Sequence, residues 1–328
     1  MGNRFAGTSQ GLRVAEHASY GPSAGTRGHA NRCTSMNTPS AVSIILPARN
    51  EAAGLRKLLP ELRRSYPDAE ILVIDDGSTD DTRAVAEACG AKVTSHPYSM
   101  GNGAAIKTGA RRASGNVLVM MDADGQHDPK DIPPMLDALS RGHAMVVGAR
   151  SARTHASLGR RLANGVYNRL ASYMTGQRIA DLTSGFRAVR AKDFRRFLYL
   201  LPNGFSYPTT STMAFFRSGL PVCYVPIDAA RREGRSHIRI LSDGARFFMI
   251  IIKIGTLFSP MRLFLPVSFG LFLTALTYYG YTFSTQGRFT NMSALLFMSS
   301  LFTFLIGILA ELVSSLHYKE DGASGRSD

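Results

Sequence analysis

The chain has 328 residues, 45% of them apolar and 19% charged, with 38 Lys or Arg against 24 Asp or Glu. This length allows about two domains, and the apolar fraction argues against a disordered chain or a coiled coil. Cys33, Cys89 and Cys223 form no Cys-x-x-Cys pair, which argues against a disulfide scaffold or a thiolate zinc site and favours a reducing compartment.

The beginning of the chain differs from the rest. The first forty residues are rich in Gly and Ser and contain almost no apolar run, so we expect residues 1–40 to be a disordered extension. From Val42 onward, apolar segments alternate with helical patterns, which predicts an α/β domain with a mainly parallel sheet over residues 41–237. The predicted strands are 42–47, 71–76, 92–96, 116–122 and 144–150, and the predicted helices are 50–66, 78–90 and 102–113.

Polar clusters follow three of these strands. Asn50 and Glu51 follow the first strand, Asp75 and Asp76 end the second, and residues 122–124 follow the fourth. Because ligands of such sheets collect at the carboxyl ends of the strands, this coincidence is the first functional signal. The second cluster is either a turn with a helix N-cap or a group that binds a base or ribose through Asp75 or Asp76.

The sharpest motif is Asp122-Ala-Asp124-Gly-Gln126. Two carboxylates one residue apart, just past a buried strand, converge on one cation, and such oxygen ligands suit Mg²⁺ or Mn²⁺ that bridges to substrate phosphates. A solvated acidic turn before the next helix is the alternative. We interpret His127, beside the pair, as a supporting or structural residue.

The segment Gly101–Thr108 resembles a P-loop at first sight. A Walker A motif requires Gly directly before Lys, and Ile106 occupies that position. The third Gly of a dinucleotide fingerprint is also missing. What remains is a Gly-containing loop that opens a helix, which predicts anion contact through backbone N–H groups and Lys107.

The positive charge is concentrated in residues 141–262, which contain 20 Lys or Arg and 5 Asp or Glu. Such a block faces a polyanion: nucleic acid, anionic lipid or a phosphorylated substrate. Aromatic residues are not interleaved with it as nucleic-acid binding would favour, so we expect no nucleic-acid partner. We expect the aromatic residues there to lie in the core: Tyr167, Tyr173, Phe186 and Phe194.

Two segments without charge follow, 25 residues at 263–287 and 22 residues at 289–310. Because a 20-residue helix spans ~30 Å, the thickness of the hydrocarbon layer, residues 261–316 predict a transmembrane hairpin; two buried helices of a soluble domain are the alternative. The positive-inside rule puts the α/β domain, both termini and the tail 317–328 on the cytoplasmic side. Residues 238–260 predict an amphipathic helix in the membrane interface, or else a plain core helix.

Seven blocks in sequence resemble glycosyltransferase family 2. The most similar branch acts on polyprenyl phosphates and includes dolichol-phosphate mannosyltransferases and bacterial undecaprenyl-phosphate glycosyltransferases. The blocks lie within about residues 41–240 and read SIILPARNE, ILVIDDGSTDDT, GNGAAIKTGAR, VLVMMDADGQHDP, VVGAR, DLTSGFRAVR and RREGRSHI. The resemblance implies a Rossmann-like GT-A domain with a membrane anchor behind it. It also implies inverting transfer of a monosaccharide from a UDP- or GDP-linked sugar to polyprenyl phosphate, with Mg²⁺ or Mn²⁺ as cofactor.

The resemblance assigns site residues by position. It implies a nucleotide-sugar site at Pro47, Arg49, Glu51, Asp75, Asp76, Lys107, Asp122 and Ala123. It implies metal ligands at Asp122, Asp124 and Gln126, and an acceptor-phosphate site at Arg150, Arg160, Asn164 and Ser184. The residues implied in catalysis are Asp124, Arg150, Arg160, Arg231 and Arg232. Asn164 and His237 stand where members of the family carry Ser and Lys.

Other functions stay open at this point. A processive polysaccharide synthase resembles this domain but carries a Gln-x-x-Arg-Trp motif, which a chain without Trp lacks. A transferase with a glycolipid or polysaccharide acceptor and a non-catalytic membrane scaffold are further alternatives, whereas two spans without interior charge make a poor transport pathway. We therefore expect a membrane-anchored enzyme of the cytoplasmic membrane, surrounded by lipid. The sugar, the nucleotide and homo-oligomer formation are left open.

Overall fold

The structure, a computed structural model, describes residues 41–150, 158–204, 206–228 and 259–324, together with 249, 252, 253, 255 and 256. The predicted extension 1–40 lies outside the described residues, as do Arg231, Arg232 and His237. Most of the predicted interfacial segment 238–260 also lies outside them.

Seven strands form one sheet. They are β1 (Val42–Ala48), β2 (Glu70–Asp75), β3 (Lys92–Ser95), β4 (Val117–Met120), β5 (Met145–Arg150), β6 (Arg187–Arg190) and β7 (Val222–Ile227). Their order is β3-β2-β1-β4-β6-β5-β7, and every pairing is parallel except the two made by β6. This confirms the predicted α/β class and the five predicted strands. We did not predict β6 and β7, because β6 is a four-residue strand with Arg at both ends and the apolar run of β7 contains Pro226, which argues against a strand.

Nine α-helices have defined bounds in the described part of the chain. They are α1 (Ala52–Ser65), α2 (Thr82–Ala88), α3 (Asn102–Arg112), α4 (Ile132–Ser140), α5 (Leu158–Thr175), α6 (Ala191–Arg195), α7 (Tyr207–Arg217), α8 (Pro260–Gln286) and α9 (Asn291–Ser324). The first three match the predicted helices with shifted ends. The helix after β2 begins four residues later than predicted, at Thr82, because the side chain of Asp80 accepts a hydrogen bond from the Thr82 N–H and holds the preceding residues in a turn.

The sheet separates two apolar clusters. Along β1 the buried side chains of Ile44 and Leu46 belong to one cluster, and Ile45 between them belongs to the other. This alternation follows from the two-residue period of a strand, in which successive side chains point to opposite faces. Helices cover both faces, so both sides of the central strands are buried. Phe186 and Phe194 are fully buried, as predicted.

The direction of the strands determines where the site lies. Since β1, β2, β4 and β5 run the same way, their carboxyl ends meet at one edge of the sheet, and the antiparallel β6 begins there. We call this edge the site edge. The chain leaves β4 there at Met121, enters β6 from the turn at residues 181–186, and ends β5 at Arg150.

The last two helices form an antiparallel hairpin. Both are long and apolar enough to cross a membrane, at Pro260–Gln286 and Asn291–Ser314. Ser268 and Ser300 exchange hydroxyl-to-carbonyl hydrogen bonds, each 2.9 Å, across the contact between the helices. Helix α9 continues to Ser324, eight residues beyond the predicted end of the membrane span at residue 316. A helix can continue beyond the membrane in this way because its backbone hydrogen bonds are internal.

One aromatic prediction is wrong. Tyr173 is 52% exposed rather than part of the core. It lies in the last turn of α5, and its hydroxyl donates a hydrogen bond to the carbonyl of Arg262 in α8. The amphipathic tyrosine therefore connects the sheet domain to the hairpin instead of filling the interior.

Candidate active site

The paired aspartates lie in the turn after β4. Gln126 donates hydrogen bonds to Asp124 through its backbone N–H, 3.2 Å from Oδ1, and through its side-chain Nε2, 2.7 Å from Oδ2. Because Nε2 of the amide is used in this way, Oε1 is the atom that Gln126 presents to a cation. Asp122, Asp124 and Gln126 thus offer two carboxylates and an amide oxygen within one turn.

This turn is packed closely from two sides. A Cβ atom added to Gly54, in α1, would collide with the carbonyl oxygen of Ala123. A Cβ atom added to Gly185 would stand 2.9 Å from Oδ2 of Asp122. Glycine at both positions therefore lets helix α1 and the turn at 181–186 approach the aspartates. The buried ring of His127 stacks on Phe186, with centroids 4.9 Å apart, which agrees with a supporting role.

Arg150, at the end of β5, is held by Asp181. Its Nε and Nη2 donate to the two carboxylate oxygens at 2.8 and 3.0 Å, and Nη2 also donates to the Thr183 hydroxyl at 2.6 Å. Burial alone would lower the pKa of Arg150, but Asp181 and the more distant Asp122 raise it above its ordinary value. Burial alone would raise the pKa of Asp181, but Arg150 and backbone N–H donors lower it.

The fork geometry leaves Nη1 of Arg150 without a hydrogen bond to any residue that the structure describes. A bidentate pair of this kind fixes the guanidinium plane. The side chain of Arg150 is 25% exposed, so the guanidinium is held in place and yet partly accessible. It can therefore present a donor to an anion at the site edge.

A second arginine supports the 181–186 turn from within the protein. Arg187 is fully buried and donates to the carbonyls of Ser184 and Leu182 and to the hydroxyls of Ser211 and Thr212. Burial lowers its pKa. None of its bonds within the described ranges goes to a carboxylate. Arg150, Arg187 and Asp181 together carry one net positive charge, which suits an anionic ligand beside this turn.

Ser184 is buried in the same turn. Its backbone N–H donates to Oδ1 of Asp181 at 3.1 Å. Its hydroxyl has no hydrogen-bond partner among the described residues, although it is buried. A buried hydroxyl without a partner is costly, and an acceptor for it would have to come from a ligand or water.

The carboxylate of Asp76 organises the loop after β3. Its Oδ1 accepts from His96 Nδ1 and Met100 N–H, and its Oδ2 accepts from the Ser99 hydroxyl and Gly101 N–H, all between 2.7 and 2.9 Å. Burial would raise the pKa of Asp76, but these four hydrogen bonds lower it. Protein donors therefore surround this carboxylate. Its contact with a nucleotide stays a prediction.

The loops after β1 and β2 are tied together. Asn50 accepts a 2.8 Å hydrogen bond from Thr79 N–H, and its own N–H donates to the Ser78 hydroxyl at 3.0 Å. Glu51 N–H donates to the Thr82 hydroxyl at 2.9 Å. Asp75 is buried and accepts from Ser78 N–H. These bonds hold Glu51 and Asp75 on one rim of the site edge, and Pro47 and Arg49 lie beside them at the end of β1.

The expected anion-binding loop at Gly101 is used differently. Gly103 N–H donates to the carbonyl of Gly204, and Ala104 N–H donates to that of Asn203. The ammonium of Lys107 donates to the Leu201 carbonyl at 3.1 Å and to Asn203. The prediction that these N–H groups are available to an anion is therefore wrong, because the loop at 201–204 occupies them. Lys107 is not brought together with the aspartates by any described contact, and its role in donor binding stays a prediction.

The remaining predicted residues belong to less described parts. Arg160 and Asn164 lie in α5, where the structure describes only their backbone. They are four residues apart and so share one face of the helix. Arg231 and Arg232 lie outside the described residues. Their predicted roles are unchanged.

The donor set at the aspartates fits a hard divalent cation. No group of three or more His, Cys, Asp or Glu side chains gathers within the described ranges. Two carboxylates and one amide oxygen are instead the incomplete set with which Mg²⁺ is held while it keeps waters or substrate phosphates. The residues present therefore fit a cation that bridges to a phosphorylated ligand.

Sequence reasoning missed four residues of this site: Asp181, Thr183, Arg187 and Tyr207. The first three lie in the block Asp181–Arg190. This block carries part of the family resemblance, but the resemblance assigned no role to these three residues. Tyr207 donates to the Gly185 carbonyl at 2.9 Å. Arg187 also reaches the hydroxyls of Ser211 and Thr212, 24 and 25 residues away in sequence, and such distant pairings give no local signal.

Comparison with known proteins gives two family matches. Glycosyl transferase family 2 matches residues 43–198, and a segment described as the GtrB C-terminal hairpin matches residues 259–316. Among curated proteins, glycosyltransferase AglJ of Haloferax volcanii is 30% identical over 300 residues, which are 87% of this chain and 97% of that protein. Undecaprenyl-phosphate mannosyltransferase of Micrococcus luteus is 32% identical over 58% of this chain and 84% of its own length.

A solved structure has the same fold. It is glucosyl-3-phosphoglycerate synthase from Mycobacterium tuberculosis in complex with Mn²⁺, UDP-glucose and phosphoglyceric acid. The TM-score is 0.54 at 20% identity, over 66% of this chain and 80% of that one. At this identity the likeness concerns the fold alone, a GT-A-like sheet domain.

Proposed function

Since the chain belongs to glycosyltransferase family 2 and is a glycosyltransferase with a C-terminal membrane hairpin, we propose that it transfers a monosaccharide from a UDP- or GDP-linked sugar to polyprenyl phosphate. The observation that carries the proposal is the contact between the aspartate turn and the turn of Ser184. Gly185 brings a carboxylate suited to a metal–diphosphate complex within van der Waals distance of a turn suited to a second phosphate.

The donor would bind on the aspartate side of the site edge. Asp122, Asp124 and Gln126 would hold Mg²⁺ or Mn²⁺ together with the diphosphate. The bound metal supplies Lewis-acid stabilisation of the leaving nucleoside diphosphate. Pro47, Arg49, Glu51, Asp75 and Asp76, with Lys107 and Ala123, are the proposed contacts to the rest of the nucleotide sugar. The Mycobacterium tuberculosis synthase, solved with Mn²⁺ and UDP-glucose bound, supports a donor of this class.

The acceptor phosphate would bind on the Arg150 side. Nη1 of Arg150 and the buried hydroxyl of Ser184 would donate to its oxygens, joined by Arg160 and Asn164 from α5 and by Arg231 and Arg232. The net positive charge at the 181–186 turn offsets the repulsion between two phosphorylated substrates. Relatives named as undecaprenyl-phosphate transferases support this acceptor class.

The chemistry then needs little from a general base. A phosphate monoester is already anionic near neutral pH, so its oxygen can attack the anomeric carbon directly. Negative charge develops on the leaving nucleoside diphosphate, and arginine side chains fixed in advance beside the acceptor phosphate and the departing diphosphate would lower the barrier. A single displacement of this kind inverts the anomeric centre. We therefore propose an inverting transferase.

The hairpin would anchor this site at the cytoplasmic face of the membrane. The basic block before the first span and the composition of the two helices support two spans, with the catalytic domain and both ends in the cytoplasm. In this orientation a lipid phosphate in the cytoplasmic leaflet lies at the level of the site. The hydrophobic chain of the acceptor then stays in the bilayer.

The direct test incubates the full chain in proteoliposomes with polyprenyl phosphate, Mn²⁺ or Mg²⁺, and a panel of radiolabelled UDP- and GDP-sugars. We expect label in the organic extract with one donor, no label with unphosphorylated polyprenol, and inverted configuration at the anomeric carbon of the product by NMR. Label only in polymeric or water-soluble products would contradict the proposal and favour another acceptor.

A matched pair of variants tests the metal role. Asp124→Ala should abolish transfer while circular dichroism stays that of the wild type. Asp128→Asn, four residues further on at an exposed position where Asp128 caps a short helical turn, should keep transfer. Equal activity of the Asp124→Ala variant and the wild type would remove the metal role.

A further inference from the structure

The end of α5 is fastened to the beginning of α8. Nη1 of Arg262 donates to the carbonyl of Tyr173 at 2.7 Å and to that of Met174 at 3.2 Å. In return, the Tyr173 hydroxyl donates to the carbonyl of Arg262 at 3.0 Å. We call these three hydrogen bonds the clasp. They join the sheet domain to the membrane hairpin.

The clasp uses groups that a helix end leaves unsatisfied. The last carbonyls of a helix have no partner inside it, and the negative end of its dipole attracts a cation. Arg262 supplies hydrogen-bond donors to these carbonyls and a positive charge at the negative end of the dipole. It lies in the first turn of α8, where an arginine in a membrane helix would otherwise reach towards lipid headgroups.

A glycine makes room for the guanidinium. Gly176 follows α5 with a φ of +74°, and its N–H donates to the Ser172 carbonyl at 2.8 Å. A Cβ atom at this position would stand 2.9 Å from Nη1 of Arg262. Both the backbone conformation and the close approach therefore require glycine.

Helix α5 is also tied to the turn that holds Arg150. Nδ2 of Asn168 donates to the carbonyl of Ala180 at 2.8 Å, and its Oδ1 accepts from Leu182 N–H at 3.1 Å. The next residue along that turn from Ala180 is Asp181, the partner of Arg150. A single helix thus contacts the hairpin at its end and the anion-binding turn at its middle.

From this geometry we propose that Arg262 is a positioning residue for the lipid acceptor. Through α5 it fixes the height of the 181–186 turn above the bilayer, and with it Arg150 and Ser184. This proposal rests on the proposed function and deepens it. The membrane sets the height of the acceptor phosphate, and the clasp sets the height of the site that binds it. Arg160 and Asn164, on the same helix, would be positioned in the same way.

Two kinds of acceptor should respond differently to the loss of the clasp. The phosphate of a long polyprenyl chain is held at the membrane surface, so a tilt or shift of α5 moves the site away from it. A short, water-soluble prenyl phosphate diffuses to the site wherever the site stands. Loss of the clasp should therefore harm transfer to the first acceptor and spare the second.

The test compares Arg262→Gln, Tyr173→Phe and Arg178→Gln in proteoliposomes. The control, Arg178, is an exposed arginine two residues beyond Gly176. For Arg262→Gln we expect kcat/KM with long-chain polyprenyl phosphate to fall by about tenfold to a hundredfold, as for a misplacement of about 1 Å. We expect Tyr173→Phe to lose less and Arg178→Gln to match the wild type. The KM for the nucleotide sugar and transfer to the short acceptor should stay at wild-type values.

Equal losses with the long and the short acceptor would overturn the inference and assign Arg262 a merely structural role, and so would no loss with either. A readout without catalysis is amide hydrogen exchange of the full chain in nanodiscs. We expect Arg262→Gln to speed exchange at the end of α5 and in the 181–186 turn; unchanged protection there would also overturn the inference. A wild-type chain that transfers sugar to neither acceptor would instead overturn the proposed function, while the exchange data still decide whether the clasp holds α5.

Discussion

Arg150 and Asp181 form a two-bond fork in which Nε and Nη2 lie 2.8 and 3.0 Å from the two carboxylate oxygens. The same carboxylate accepts backbone N–H groups of Thr183 and Ser184 at 3.0 and 3.1 Å. One buried acid therefore fixes both the guanidinium and the backbone of the turn beside it. Arg150 and Ser184, two of the residues proposed to bind the acceptor phosphate, therefore share a single support.

We predict that Asp181→Asn harms both stability and acceptor binding. The amide keeps the shape but loses the charge, which leaves Arg150 without its counter-ion in a largely buried position, where loss of one partner costs about 3 kcal/mol or more. The guanidinium also becomes free to rotate, so the KM for polyprenyl phosphate should rise more than the KM for the donor. Thermal unfolding in detergent and steady-state kinetics with each substrate varied measure the two effects.

Asp68→Asn is the matched control for this substitution, because Asp68 is an exposed aspartate in the turn before β2. It should change neither quantity. An Asp181→Asn enzyme with normal acceptor KM would contradict the assignment of Arg150 to the acceptor.

The second prediction concerns the close approach of Gly185 to Asp122. In a Gly185→Ala variant the new Cβ would stand 2.9 Å from Oδ2, too close for a real contact. The obstructing atom is the end of a side chain, so the carboxylate can move aside at small cost in stability. The displaced carboxylate of Asp122 should instead be misplaced as a metal ligand, and we expect kcat to fall by about tenfold to a hundredfold. Higher Mn²⁺ concentrations should recover part of the loss.

Gly270→Ala provides a comparison, since a Cβ atom there meets no atom of the described chain within 4 Å. Its kcat and metal dependence should equal those of the wild type. If Gly185→Ala left the Mn²⁺ dependence of kcat unchanged, Asp122 would not be a ligand whose placement limits the rate.

A third prediction tests the role of the loop that Asp76 organises. His96 bridges Asp76 and Thr108, with its two ring nitrogens 2.7 and 2.9 Å from their oxygens. In His96→Ala a buried carboxylate and a hydroxyl each lose a partner, which costs about 1–3 kcal/mol. If the loop contacts the donor, the KM for the nucleotide sugar should rise while the acceptor KM stays constant.

His143→Ala separates stability from binding in this experiment. The ring of His143 is hydrogen-bonded to the carbonyl of Ala138 at 2.9 Å. This residue precedes β5, at the edge of the sheet opposite the site. The His143→Ala substitution should therefore lower stability without any change in KM. A His96→Ala enzyme with unchanged donor KM would separate the Asp76 loop from donor binding.

The features that could be predicted from the sequence depend on residues that are close together in the chain. The strands β1, β2 and β4 are apolar runs that end in acids, so their type, direction and shared edge follow from local pattern. The aspartate pair that we propose as a metal site was recognisable for the same reason. These features depend on residues adjacent in sequence.

Features that depend on distant partners were not recognised. The sequence around Gly101 favours an anion site, yet the loop at 201–204 takes its N–H groups. Tyr173 looks like a core residue until the position of Arg262 is known. The buried Arg187 finds two of its acceptors on α7, the buried hydroxyls of Ser211 and Thr212. Periodicity carries no information about such pairings.

The last prediction concerns acid stability and rests on Glu70, at the start of β2. Its carboxylate accepts from Lys92 Nζ at 2.7 Å, from the Ser43 hydroxyl at 2.6 Å, and from the N–H and hydroxyl of Ser114. Burial would raise the pKa of Glu70, but these bonds lower it to about 2 from 4.5. The side chain is only 11% exposed, so the charged form stabilises the fold by up to about 3 kcal/mol.

Because the folded-state pKa is depressed, this contribution is complete above about pH 4.5 and is lost as the pH falls towards 2. We therefore expect Glu70→Gln to lower the free energy of unfolding at pH 7, and the difference from the wild type to shrink steadily below pH 4.5. Glu87→Gln, which breaks an exposed ion pair with Arg83, should leave the free energy of unfolding close to that of the wild type at any pH. Denaturant unfolding of the full chain in detergent across this pH range measures both. A difference for Glu70→Gln that stayed constant with pH would mean that hydrogen bonding alone, and not the charge of Glu70, joins these strands.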